Sequence, residues 1–335
     1  MKQLDISICI PTYNRRKYLK YTIDSIFSQI DSVNFNNIEI CISDNCSTDG
    51  TSEYIKGIQI NPPIKISYRS NATNIGADAN FLSAVEMAQG KYCWLMGSDD
   101  AASPGSINKL LQEIKSNNDI YLCNRIDCDS ELVPIFNRYW LDRSIGETCF
   151  NLNDQNQFEI YSKNAKSIGA FFSYLSSIIF KRSRWISIKI DEIFIGTAYS
   201  HVYMLLSFIK SGCNLKYIPD HLVLCRGGND GFLMPGKGGG VDRIILDING
   251  YSLLAKTLFY DNKVFYFSLL RGLKKEHPEI KTIILLRYLS DNVKWKSIKA
   301  YLHIDLYSQA LVSLIGISRP LMILLKKIKD FLYLR

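Results

Sequence analysis

The sequence lacks both common glycine-rich phosphate cradles. After its first apolar run stands Pro11-Thr12-Tyr13-Asn14, where a dinucleotide fold would need G-x-G-x-x-G and a P-loop a Gly-Lys-Ser or Gly-Lys-Thr ending. A nucleotide bound here must be held by side chains. No uncharged run reaches the roughly 18 residues of a membrane-spanning helix. The amino terminus runs straight into a strand, Asp5-Ile6-Ser7-Ile8-Cys9-Ile10, without the charged and apolar segments of a secretory leader, so secretion is not expected. The nine cysteines include no C-x-x-C pair. Cys9, Cys41, Cys93 and Cys123 lie in apolar strand-like runs, which suits reduced core thiols in a cytoplasm-like compartment. Low-complexity tracts and internal repeats are absent, excluding solenoids. The basic residues are dispersed and no nucleic-acid module is recognisable, so the formal charge of +8 is not assigned to nucleic acid.

What is present is a large globular chain: 335 residues, 47% hydrophobic and 21% charged, enough for one large α/β domain plus an appendage, or for two modest domains. Apolar runs at Ile6–Ile10, Ile38–Ile42, Ile64–Arg69 and between Gly90 and Gly97 predict strands. Between them, Arg15–Ile30, Thr51–Gly57 and Ala77–Gln89 carry helical spacing. Strands alternating with helices predict a parallel sheet with right-handed crossovers. Each strand then delivers a polar loop to one sheet edge, where open α/β sheets bind ligands. Further along, Ile107–Lys115 and Tyr199–Ile209 predict helices, and Ile120–Asn124, Ser173–Lys181 and Tyr217–Cys225 predict strands. The segment Asp127–Ile160 reads as irregular with edge strands, and the chain reads as helical from Asp242 onward.

The loop after the fourth strand ends in two adjacent carboxylates, Gly97-Ser98-Asp99-Asp100. Such a pair repels itself and either faces water or holds a cation or a hydroxyl-rich ligand. At the neighbouring strand ends, Tyr13 is placed to cover a base, Asp44 to accept from a base edge, and Arg69 to supply charge or stacking. Arg226 follows a strand and precedes flexible Gly227-Gly228, a position from which it can neutralise a diphosphate.

Ile8 to Asn14, Ile42 to Gly50, Asn74-Ile75-Gly76, and Gly97 to Asp100 with Pro104 resemble, in order and spacing, the motifs of family-two glycosyltransferases with the GT-A fold. The resemblance implies a Rossmann-like mixed, mainly parallel sheet flanked by helices, with a helical C-terminal region. It implies a catalytic domain over residues 1–231 and a helical region over 232–335. It also implies donor-nucleotide contacts at Pro11, Thr12, Tyr13, Asn14, Asp44, Arg69, Asn74, Ser98, Asp99 and Arg226, and a divalent metal, Mn or Mg, on the donor diphosphate. The chain departs from the family triplet in carrying Gly97 where the first aspartate stands. Asp99 is therefore the expected metal contact, with Asp100 second.

The family commonly offers a Glu-Asp base at a helix start in the second half. The matching Ile195-Gly196-Thr197-Ala198-Tyr199-Ser200-His201-Val202 lacks both acids. His201 is the expected substitute, with Asp100 and Asp230 as further catalytic candidates and Asp191 and Glu192 a few residues before it. Ile168 to Ser177, Ile195 to Val202 and Cys225 to Asp230 are similar to the abequosyltransferases of bacterial O-antigen assembly, over about residues 5–231. That resemblance implies CDP-abequose as donor. The implied acceptor is a mannose of a polyprenyl-diphosphate-linked oligosaccharide at the cytoplasmic face of the inner membrane. A transferase using another nucleotide sugar, or a non-catalytic nucleotide-sugar-binding scaffold, is the alternative. The tail Arg319–Arg335 mixes bulky apolar residues with lysines. It suits an anionic membrane surface, packing on its own domain, or a contact in a homo-oligomer.

Overall fold

The computed structural model describes residues 4–32, 34–228 and 239–277. Asp230 and the tail after His277 lie outside them. The chain divides into two compact units, one of Met1–Asn229 with Gly250–Gly272 and one of Asp230–Asn249 with Leu273–Arg335. The expected helical region is thus shared: its residues 250–272 belong with the sheet. There Tyr251 donates its hydroxyl to the Phe171 carbonyl at 2.8 Å, and Phe265 stacks on Phe158 with ring centroids 3.8 Å apart. In the second unit the described contacts join Asp247 to Arg243 and to His277.

The first unit opens as three strand-helix repeats: β1 (Ile6–Thr12), α1 (Arg16–Phe27), β2 (Ile38–Asp44), α2 (Thr51–Ile58), β3 (Lys65–Ser70) and α3 (Ala77–Glu86). Next come β4 (Tyr92–Leu95), β5 (Ala101–Ala102), α4 (Ser106–Glu113), β6 (Ile120–Cys128), β7 (Pro134–Arg138), β8 (Thr148–Asn151) and α5 (Gln155–Asn164). The remaining elements are β9 (Ile178–Lys181), α6 (Arg182–Ile186), α7 (Ser200–Lys210), β10 (Asn214–Cys225), α8 (Gly239–Phe259) and α9 (Lys263–Glu276). Every residue of β1, β2 and β4 is buried, because helices cover both faces of a parallel sheet. That double burial is why these strands read as continuous apolar runs.

The strands form one mixed sheet of order β3-β2-β1-β4-β9-β6-β10-β5, with β7 on β6 and β8 on β10. The ladders β3-β2-β1-β4 and β6-β10 are parallel, whereas β9 runs antiparallel between β4 and β6. One pairing decides the site. The two-residue β5 lies antiparallel to the end of β10, with Leu224 opposite Ala101 and Val223 opposite Ala102. It thereby delivers the residue after β10, Arg226, to the carboxylates just before β5. Helix α1 fixes the same backbone from the other side: Thr22 Oγ1 donates to the Asp100 carbonyl at 2.6 Å, and Ser25 Oγ accepts from the Ala102 N–H at 2.9 Å.

Two segments differ from the sequence reading. Gln155–Asn164 is a helix, started by the Asp154 side chain accepting from the Asn156 and Gln157 N–H groups, but only Phe158, Tyr161 and Ser162 are buried along it. Within Ser173–Lys181 only Ile178–Lys181 is strand. Two short 3₁₀ turns, Ile168–Phe171 and Leu175–Ser177, precede it.

Candidate functional site

The loops after β1, β2 and β3 are tied together by their own polar side chains. Asn14, at φ 49°, donates its N–H to Ser47 Oγ at 2.8 Å and accepts from the Thr48 N–H through Oδ1 at 2.7 Å. Fully buried Asp44 accepts from the Ser47 N–H at 3.0 Å and from the Tyr68 hydroxyl at 2.8 Å. Burial, followed by the Asp44 charge, raises the Tyr68 pKa, so the hydroxyl stays a donor. Asn74 accepts from Asn45 Nδ2 at 2.7 Å and from the Gly76 N–H at 2.9 Å. Buried Asn80 on α3 donates to the Ser43 and Thr12 carbonyls at 3.0 and 3.3 Å. Pro11 and Thr12 close β1, opposite Ser43 and Asp44 of β2. Tyr13, 45% exposed, is open to solvent beside them.

Arg69 is not drawn to Asp44. Its guanidinium bonds the Ser83 hydroxyl and carbonyl and pairs with Glu86 at 3.1 Å, all on α3, while Tyr68 takes the carboxylate. A side chain one residue away in a strand points to the opposite face.

The loop after β4 gathers the charge. Ser98 and Asp100 are buried, and Asp100 Oδ2 accepts from Ser176 Oγ at 2.5 Å and from the Tyr174 hydroxyl at 2.7 Å. Burial, and then the neighbouring Asp99 charge, raise the Asp100 pKa to about 6, while the two hydroxyls and Arg125 pull it down. Asp99 pairs with Arg15. Arg226 is 5% exposed. Its N–H reaches Asp100 Oδ1 at 3.3 Å, its Nε reaches the Asp99 carbonyl at 3.0 Å, and its Nη1 bonds the Ser130 carbonyl. The guanidinium carbon lies 5.0 and 5.1 Å from the ring centroids of Tyr18 and Tyr21. Nη2 is buried with no hydrogen-bond partner among the described residues.

Gly97 explains the altered triplet. A Cβ there would lie 2.8 Å from Asp100 Oδ2 and 3.0 Å from Asp99 Oδ1. Both carboxylates thus converge on the space that the first aspartate's side chain would fill. Among the described residues no group of three or more His, Cys, Asp or Glu side chains is arranged to hold a metal. Two converging carboxylates fit an ion that takes few protein ligands and draws the rest from a diphosphate and water, as Mg²⁺ does.

The expected base, His201, lies at the start of α7. His201 is 3% exposed in the first turn of α7, its Nε2 lies 3.1 Å from the Phe172 carbonyl, and its ring meets Phe81 edge-on at 5.8 Å. The imidazole thus lies between α3 and the turn that ends at Phe172. Asp191 caps the Glu192–Phe194 turn through the Ile193 N–H.

Three residues that sequence reasoning missed shape the site: Arg15, Tyr174 and Asp78. Asp78, 3% exposed on α3, accepts from the N–H groups of Gly196, Ala198 and Ser200 at 2.8, 2.8 and 3.2 Å. It holds Ala198 at φ 67°, in the left-handed region that a side chain disfavours. A carboxylate thus reaches the acid-free segment from 118 residues away. The Asp78→Ala variant is expected to lose roughly 3 kcal/mol of stability, since three buried N–H groups lose their acceptor. Urea denaturation checks this, and a loss below about 1 kcal/mol contradicts it.

Comparison with known proteins identifies the family and the fold. Residues 7–181 match the family described as glycosyl transferase family 2. The chain is 43% identical over 285 residues to the abequosyltransferase RfbV of Salmonella typhimurium, covering 84% of this chain and 83% of that protein. Among solved structures, S. aureus TarS 1–349 with UDP-GlcNAc superposes with a TM-score of 0.61 at 14% identity, over 94% of this chain and 89% of that one. The mannosyltransferase PcManGT of Pyrobaculum calidifontis, solved with GDP-Man and Mn²⁺, gives 0.56 at 13% identity, over 94% and 80%. At such identity these two show the fold, which is of the GT-A type. The nine cysteines are free, and no described helix is long and apolar enough to cross a membrane. The chain belongs to glycosyl transferase family 2 and is a glycosyltransferase.

Proposed function

We propose that this glycosyltransferase moves abequose from CDP-abequose to a mannose hydroxyl of a polyprenyl-diphosphate-linked O-antigen oligosaccharide. It would do so at the cytoplasmic face of the inner membrane, with Mn²⁺ or Mg²⁺. The observation that carries the reading is the convergence of Asp99, Asp100 and Arg226 beside the loops of Tyr13 and Asp44. The likeness to the abequosyltransferase RfbV supports abequose as the sugar.

In this reading Asp44 and Tyr13 receive the base, with Asn14 and Asn74 keeping their loops in place. Asp99 is the metal contact. A divalent cation, when bound, neutralises the leaving diphosphate. Arg226 adds a second positive charge through its unpartnered Nη2. Asp100, beside Asp99 and held by Tyr174, Ser176 and the Arg226 N–H, is the candidate to take the acceptor proton. The test is an assay of the purified chain with CDP-abequose and a mannosyl lipid acceptor, with the product linkage read by NMR. Transfer that requires both substrates supports the proposal. Turnover of another nucleotide sugar in place of CDP-abequose overturns the donor assignment.

A further inference from the structure

We propose that Arg15 is the resting counter-ion of Asp99, and that its guanidinium passes to the donor diphosphate when metal and donor bind. This rests on the metal and diphosphate reading above. Arg15 hydrogen-bonds Asp99 Oδ2 through Nη1. Its backbone is fixed because Asn14, just before it, is pinned to Ser47 and Thr48. Its side chain is long and 37% exposed, against 17% for that of Asp99.

Two neighbouring, poorly hydrated carboxylates need a nearby cation, and in this structure Arg15 supplies one. A divalent ion at Asp99 would do the same work, and two cations on one carboxylate repel each other. Arg226 cannot make the exchange. It is buried, held by the Asp99 and Ser130 carbonyls, and covered by Tyr18 and Tyr21. Its Nη2 nonetheless lacks a partner beside the same carboxylates. A diphosphate placed there would meet Arg226 and offer a displaced Arg15 charge-assisted bonds of its own.

Metal alone then competes with Arg15 and binds weakly, whereas metal and nucleoside diphosphate bind cooperatively. By linkage each strengthens the other equally.

The experiment titrates Mn²⁺ into wild type, Arg15→Gln and Arg15→Lys, with and without CDP. Free Mn²⁺ is followed by electron paramagnetic resonance, and thermal melts confirm folding. Without CDP, Arg15→Gln is expected to bind Mn²⁺ about three- to fivefold more tightly than wild type, the scale of one partly exposed ion pair. The same variant loses most of the gain in Mn²⁺ affinity that CDP gives wild type, while Arg15→Lys binds Mn²⁺ alone as wild type does. If wild type binds Mn²⁺ with CDP but Arg15→Gln binds Mn²⁺ alone no more tightly, this inference falls and the metal reading stands. The inference also falls, with the metal reading intact, if Arg15→Lys behaves as Arg15→Gln. If none of the three proteins binds Mn²⁺ even with CDP, both fall.

Discussion

Replacing Arg226 with alanine is expected to lower kcat/KM for sugar transfer about a thousandfold, the scale of removing one preorganised charge from a water-poor site. The size follows from how the residue is held. Its backbone, Nε and Nη1 are fixed by Asp100, Asp99 and Ser130, so the guanidinium does not reorganise when negative charge develops on a leaving group. Arg226→Lys keeps the charge but loses the fork of donors, so it restores only part of the rate. Arg69 is the internal comparison. Tied to Glu86 and Ser83 on α3, its alanine variant should stay within about threefold of wild type, because exposed ion pairs contribute little. Steady-state transfer kinetics with a mannosyl acceptor measure both. An Arg226→Ala enzyme within about tenfold of wild type would contradict the assignment.

The second large effect is on stability, and its sign depends on pH. Burial raises the Asp100 pKa in the folded protein to about 6, above the roughly 3.9 of an unfolded chain. Below about pH 4 both states hold the proton and the group costs nothing. Between there and about pH 6 the unfolded chain has lost its proton while the folded one keeps it, so stability falls as pH rises. Above about pH 6 the penalty is complete, at up to about 3 kcal/mol, because each tenfold difference in proton affinity is worth about 1.4 kcal/mol.

Asp100→Asn removes that charge. Its amide oxygen can still accept from Tyr174 and Ser176, but its NH₂ replaces an oxygen near the Arg226 N–H. The variant is therefore expected to be about 1–2 kcal/mol more stable than wild type near pH 8 and close to it near pH 4. Urea denaturation at the two pH values checks this. Transfer activity should fall at both, which is the cost of keeping a buried charge at a working site. Equal stabilisation at both pH values would show that Asp100 is not the titrating group.

The legible parts of this protein were those where chemistry and sequence position coincide. β1, β2 and β4 are buried on both faces, so their apolar runs marked the strands, and the polar loops marked the carboxyl edge of the sheet. Asp44, Asn14, Asn74 and Asp99 follow from that edge. Other features depend on partners far along the chain. Arg15 and Asp99 are 84 residues apart, and Tyr174 and Asp100 are 74 apart. No local pattern announces such pairs. How far His201 is enclosed was not readable, because Phe81 and the Phe172 carbonyl reach it from far along the chain. Helix α5 hid behind its mostly polar surface, although Asp154 at its start was a readable cap.

The most direct test of the central claim, that the loop of Asp99 and Asp100 holds a metal-bound donor diphosphate, is calorimetric titration. Wild type and Asp99→Ala would each be titrated with CDP, UDP, GDP and dTDP, with and without Mn²⁺. The expected result is preferential CDP binding that needs Mn²⁺ and collapses in Asp99→Ala. CDP binding that is indifferent to Mn²⁺ and survives the substitution would contradict it.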